Sequence, residues 1–444
     1  VRLVAVAVTE LVVLAYLVPQ AVGAGIAWGL VTDRSLPGLS PYTTGIVVST
    51  VAVMAIVVVG GMRGTTWTQA FQFAVLLTVL TWLSIAVLAD GFSYDEAVGS
   101  LGDEPLRAIP EPVGRLDAST ASGPIEVVDN HLGDGSARFD RPGARFDVLG
   151  QFSLVVTLVF GTVGLPHVMN RFFTSPSGRA ARMTSAWVVA GIGAFYAMAV
   201  MLGTATRFYI EARADELGWL AEASVDGVLR VPEDAMLAMG RLFGGEIGLA
   251  VVATGAAIAI ISTASGLVLA ASASWGHDVY ERYVNPVASR RRALRVGQAA
   301  VVVSALAAGA LAVFLDPARL TVNGPSLIAG LVAAAFAVAG SALAPVIIIG
   351  IWWRGATAHG ALAAMIVGAT VSTTSAAIGL LVDGAPFVLS VPTIVAGPMA
   401  LAALVVVSKR TAPTPDLDEV WIQMHGSARE RRLAEIARLS VRTE

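Results

Sequence analysis

Between Thr254 and Tyr280 the chain reads TGAAIAIISTASGLVLAASASWGHDVY. The segment is long and apolar enough to cross a bilayer, yet it carries Ser262, Thr263 and Ser265 at its middle and closes on His277, Asp278 and Tyr280. In hydrocarbon no water is present to satisfy a hydroxyl, so each needs a partner. On a helix Ala259, Ser262, Thr263, Gly266 and Ala270 share one face, small and oxygen-bearing. Such a face suits a close helix–helix seam. It equally suits half of a site for a hard cation that prefers oxygen ligands. Spacing alone favours the seam, because small residues are the usual packing surface of membrane helices.

Other polar or irregular points lie inside apolar runs. Gly161, Gly164 and Pro166 interrupt SLVVTLVFGTVGLPHVMNRFF within six residues. Transporters break helices in this way to expose backbone N–H groups and helix ends to solutes and ions; a plain proline kink is the alternative. Thr162 falls in the break, and His167 just past it reads as an interfacial histidine before a proton relay. Tyr16 and Gln20, four residues apart around Pro19, share a face that would line a substrate path. Glu10 in the same run reads as an interfacial acid. Gln69 and Gln72 open another run, with Gln69 a candidate for an exit on the cytoplasmic side. Pro345 marks a kink. The enzyme signatures HExxH, GxSxG, the phosphate-binding loop and the dinucleotide fingerprint do not occur, and the five histidines are isolated.

These points sit in a polytopic membrane protein. Of 444 residues, 56% are hydrophobic and 14% charged, against about 25% charged in soluble domains. Forty-five glycines suit close helix packing, and the absence of cysteine excludes a disulfide framework or thiolate metal site. Ten apolar runs approach the roughly 20 residues a span needs: 3–29, 44–61, 67–89, 149–169, 183–204, 246–275, 294–315, 325–351, 358–381 and 388–408. Threading them in order puts Arg63, the cluster Arg171, Arg179 and Arg182, the cluster Arg282 and Arg290 to Arg292, Arg354, and Lys409 with Arg410 on one side. The positive-inside rule makes that side the cytoplasm, with both termini on it. Two long polar loops, 90–148 and 205–245, fall outside; the first is rich in Gly, Pro, Asp and Ser and predicts no full core of its own. Residues 1–409 form the transmembrane domain and 410–444 a cytoplasmic tail. Within the tail TAPTPDLDEVW reads as a linker and SARERRLAEIARLSVRTE as a solvated, charged helix.

Four stretches, YLVPQAVGAG (16–25), GGMRGTTWTQ (60–69), FGTVGLPHVMNRFFT (160–174) and ISTASGLVLAASASWGHDVY (261–280), resemble the bacterial sodium/solute symporters. The likeness is closest to the cation–acetate, or monocarboxylate, permease branch, and its motifs follow the same order through about 400 residues. It implies an all-α, leucine-transporter-like fold of five plus five inverted-repeat helices. The first run then corresponds to core helix 3, the broken run to core helix 6, and the Thr254 segment to core helix 8, with two helices after the core. It implies sodium as the coupling ion, held by the Ala259 carbonyl and the hydroxyls of Ser262 and Thr263. Gly161, Thr162 and Gly164 would line the substrate site with Tyr16 and Gln20. No organic cofactor and no protein partner are implied, only the bilayer, sodium and a short-chain monocarboxylate such as acetate, propionate or pyruvate.

The resemblance also implies three helices ahead of the first run, among them core helices 1 and 2. The chain opens inside an apolar run and on Val, so the expectation is that a start, or a partner fragment, lies upstream. Alternatives to acetate import are a symporter for proline, urea or a sugar, a non-transporting membrane sensor, and an inactive fragment.

Overall fold

The computed structural model describes residues 1–32, 34–102, 107–108, 126–127, 147–173, 175–214, 216–225, 228–229, 232–315, 327–382, 385–412, 417–427, 429–430 and 432. Helices dominate: α1 (Arg2–Thr32), α2 (Pro41–Ala89), α3 (Tyr94–Gly102), α4 (Val148–Gly164), α5 (Pro166–Phe173), α6 (Gly178–Arg213) and α7 (Gly218–Ala223). They continue with α8 (Ala235–Ala273), a π-helical extension of it (Ser274–Val284), α9 (Arg290–Phe314) and α10 (Leu327–Val338). A π-helical turn (Ala339–Leu343) leads into α11 (Ala344–Trp352), followed by α12 (Ala358–Leu381), α13 (Phe387–Ser390), α14 (Thr393–Arg410) and α15 (Leu417–His425). Two short antiparallel pairs, Arg107–Ala108 with Glu126–Val127 and Ser224–Val225 with Val228–Leu229, lie in the connections.

Among the described residues eight helices are long and apolar enough to cross a membrane, or nine if the bent pair α4 and α5 counts as one span. Helix α2 adds another. Its 49 residues would measure about 73 Å unbroken at 1.5 Å per residue, against a hydrocarbon core of about 30 Å. Gly61 interrupts it at φ 53°, a left-handed conformation that glycine adopts without a Cβ penalty. The Tyr42 hydroxyl donates to the Ala312 carbonyl and the Gln298 amide to the Val58 carbonyl, so the arm 41–60 runs antiparallel to α9. The arm 62–89 runs back: Gln69 meets Ser262 while Val79 packs on Gly255. Among the described residues, counting the bent pair once and the two arms of α2 separately gives ten crossing segments.

Helix starts follow local chemistry. Ser40 accepts from the Thr43 N–H with Pro41 behind it, and Ser177 and Thr357 cap α6 and α12 in the same way. The bend of 48° between α4 and α5 centres on Leu165, which is extended because the ring of Pro166 disfavours the helical conformation in the residue before it. A second glycine break, Gly245 at φ 58°, folds residues 235–244 against the rest of α8, with Gly240 beside Gly248. The crossing part of α8 therefore begins at 246, where the apolar run does.

One core joins α1, the first arm of α2, α8 and α9 through Val13, Val22, Ile46, Leu267 and Val301. Another joins the second arm of α2, α6 and the start of α8, and takes in Phe92 and Ala97 of the following segment. A third crossing is nearly backbone on backbone: Gly161 and Gly164 of α4 lie against Phe336, Ala339 and Gly340, leaving no room for a side chain.

Two expectations are corrected. Residues 205–245 are not an open loop: α6 stays helical to Arg213, and Ile210, Leu220 and Leu229 form a small core of their own. The sequence TAPTPDLDEVW is not a linker throughout, because α15 begins at Leu417. Asp418 pairs with Arg354, and the His425 ring nitrogen lies 2.7 Å from the Ile351 carbonyl oxygen, docking α15 beneath α11. Most of the 90–148 loop and most of SARERRLAEIARLSVRTE lie outside the described residues.

Candidate functional site

Helix α8 presents Ala259, Ser262 and Thr263 half-buried at mid-span. Two turns earlier Thr254 satisfies its hydroxyl within the helix, donating to the Ala250 carbonyl. Among the described residues the side chains of Ser262 and Thr263 make no hydrogen bond, and the buried Ser265 hydroxyl also lacks a partner.

The backbone at this point is held from outside. The Gln69 amide donates to the Ser262 carbonyl at 2.7 Å. The Gln69 carbonyl oxygen accepts from Arg171, whose other terminal nitrogen donates to the Thr66 hydroxyl at 2.7 Å. A chain of hydrogen bonds thus runs from the second arm of α2 and from α5 to α8. Gly266, one turn on, lets this happen: a Cβ there would sit 3.2 Å from the Gln69 nitrogen and 3.8 Å from the His167 ring.

His167 also connects to a second group. The Tyr16 ring lies 5.8 Å from His167 and 5.5 Å from Phe336 between centroids. Phe336 is the side chain against Gly161. Tyr16, Gly161, Gly164 and the helix break at Leu165 therefore gather around one junction, with Val12 and Val338 behind it. The N-terminus of α5 opens onto this junction, and two of its N–H groups, those of Val168 and Met169, already bond to the Leu165 carbonyl.

Two expected members lie apart. Gln20 borders a separate small cavity with Ile260, Ala264 and Ala305. Thr162 is exposed, and its hydroxyl is spent on the Leu158 carbonyl of its own helix. The break falls after Gly164 rather than at Thr162 because proline acts on the residue before it. Sequence reasoning missed Phe336 and the role of Arg171. Phe336 is one apolar residue among many, and Arg171 was read only as a topology marker. The spacing of Arg171 from the break, on one turn of α5 past Pro166, was the signal available.

Broken helices of this kind occur in secondary transporters, and the whole sequence points the same way. The model of the sodium:solute symporter family matches residues 1–368. The chain belongs to the sodium:solute symporter family. It is 30% identical over 379 residues to the monocarboxylic acid transporter of Corynebacterium glutamicum, covering 83% of this chain and 61% of that one. It is 28% identical over 430 residues to the uncharacterized symporter YwcA of Bacillus subtilis, covering 92% and 73%. Among solved structures, a substrate-bound, outward-open Na+-coupled sialic acid symporter matches with a TM-score of 0.57 at 17% identity, over 91% of this chain and 74% of that one. The fold is the leucine-transporter-like helical fold. The chain thus spans less than two thirds of the length of the Corynebacterium relative.

Proposed function

We propose that this symporter couples sodium entry to the import of a short-chain monocarboxylate such as acetate, propionate or pyruvate. The observation that carries the sodium part is the pair of adjacent, half-buried hydroxyls of Ser262 and Thr263 without partners on a membrane-spanning helix. With the Ala259 carbonyl they offer oxygen ligands to a hard cation. The Gln69 bond to the Ser262 carbonyl holds that stretch of helix in register.

The solute reading draws on the broken helix. A carboxylate of two to four carbons can be received at the start of α5, where the helix dipole favours an anion. Tyr16 and the backbone at Gly161 and Gly164 form the surrounding wall. Gln20 borders a cavity apart from this junction, and the Thr162 hydroxyl is spent on its own helix. The relative named a monocarboxylic acid transporter supports the class of solute. The side bearing Arg63, Arg282, Arg354 and Arg410 faces the cytoplasm of a bacterial cell, together with both ends of this chain.

The test is uptake of radiolabelled acetate into proteoliposomes carrying an inward sodium gradient. Propionate and pyruvate are expected to compete, and proline, urea and glucose are not. Competition by proline or a sugar alone would move the chain to another branch of the family.

A further inference from the structure

Glu10 lies outside the site described above. It sits two turns into α1, about 12 Å along the helix from Arg2. An interfacial acid would have its oxygens in water. Instead Glu10 Oε1 is buried and has no hydrogen-bond partner. Val6, Val8, Val12 and Val13 around it are buried. Its other oxygen is 3.5 Å from the hydroxyl of Ser304, a buried residue of α9. The second polar neighbour is the Trp275 side chain, from the π-helical extension of α8.

No cation balances the carboxylate among the described residues. No titratable or charged side chain of α2, α8, α9, α10, α12 or the π-helical extension acts on it; only Ser304 and Trp275 do. The charged groups on the two elements that touch it are Arg290, Arg291, Arg292 and Arg295 of α9, and Glu281, Arg282 and the paired His277 and Asp278 of the extension. An ionised carboxylate left alone at this depth is expensive, and an ionisable residue inside a span is retained where it works.

The neighbours select the ligand. A sodium ion needs several oxygen atoms, and the Trp275 indole offers only an N–H donor. A proton needs one atom, and Oε1 is that atom, while the Ser304 hydroxyl lies 3.5 Å from the other oxygen. The π-helical geometry that brings Trp275 here is a feature that recurs at functional positions.

We propose that Glu10 is a proton-binding site, separate from the Ser262–Thr263 face. A proton from water forms an O–H bond on Oε1; the bond breaks again, returning the proton to water, as α1 shifts against α9 and the π-helical extension. As the Oε1–H bond forms, an O–H bond of hydronium breaks and leaves water, the reverse occurs on release, and no electron is transferred. Proton binding stands on the geometry of Glu10 alone; that the proton moves with the solute rests on the transport reading.

Infrared difference spectroscopy on the full chain in liposomes separates the two. On titration, the carbonyl band of a protonated carboxylic acid is expected in the wild type, lost in Glu10→Gln and shifted in Ser304→Ala. A band set unchanged in both variants overturns the site. If Glu10→Gln fails to fold, Ser304→Ala decides alone: a shifted band upholds the site and an unshifted band overturns it. Sodium-driven acetate uptake is then measured across the same pH range. Wild type is expected to respond to pH with the midpoint of the band, and Glu10→Gln to lose that response. Uptake with the same pH response in both overturns proton coupling. A titrating band with no sodium-driven uptake of any solute would instead count against the transport reading and leave the proton site standing.

Discussion

Gln69 is the residue on which two parts of the molecule depend. Its amide holds the Ser262 carbonyl, and its carbonyl oxygen accepts from Arg171. Gln69→Leu would remove both of these hydrogen bonds, each worth about 0.5–1.5 kcal/mol. We expect sodium activation of uptake to shift to roughly tenfold higher sodium, the equivalent of about 1.4 kcal/mol, with folding retained. An unchanged sodium curve would show that the hydrogen-bond chain does not position α8. Gly164 tests the broken helix differently. A Cβ there would overlap the Ala339 carbonyl oxygen, and backbone has little room to yield. Gly164→Ala is expected to lower stability by about 1–3 kcal/mol, read as a lower melting temperature in detergent. Gly193→Ala, where a Cβ meets nothing, is the control and should melt like the wild type.

At the scale of elements, what holds the spans apart is a small set of breaks: Gly61, Leu165 and Gly245. The apolar runs were legible because hydrocarbon demands a continuous stretch of apolar residues, and the GG and GLP interruptions carry backbone meaning of their own. The polar connections were not legible. In 205–245, Ile210, Leu220 and Leu229 are too far apart in sequence to announce a shared core. Helix α15 hides behind prolines and acids, and only its contacts with Arg354 and Ile351 reveal docking. The face of α8 was found by periodicity, whereas the partners that fix it, Gln69 and Arg171, come from elements distant in sequence.

The turn Pro232–Asp234 before α8 gives a pH prediction outside the spans. Burial, and after it the charge of Glu233, push the Asp234 carboxyl up to about 7. Its folded value exceeds its unfolded one, so the stability it lends is fully present at acid pH below the unfolded value. That stability is lost as pH rises towards and through about 7. The melting temperature of the wild type should therefore fall over this range, and Asp234→Asn should flatten that part of the profile. A profile identical in the two would contradict the burial assigned to Asp234.

For the molecule as a whole, the proposed ten-span topology puts both ends of the chain and the short arginine-bearing loops on one side. The chain has no cysteine, so single cysteines report sidedness cleanly. Ser35, after α1, and Ser289, before α9, are exposed. In intact cells a membrane-impermeant maleimide is expected to label Ser35→Cys and spare Ser289→Cys; the reverse pattern would invert the topology. Sodium dependence rests on the proposed ion site on α8. Its most direct test is the sodium activation curve of acetate uptake in proteoliposomes for wild type and for the double variant Ser262→Ala, Thr263→Ala. The account predicts that the double variant folds and loses sodium stimulation. A double variant that responds to sodium as the wild type does would contradict it.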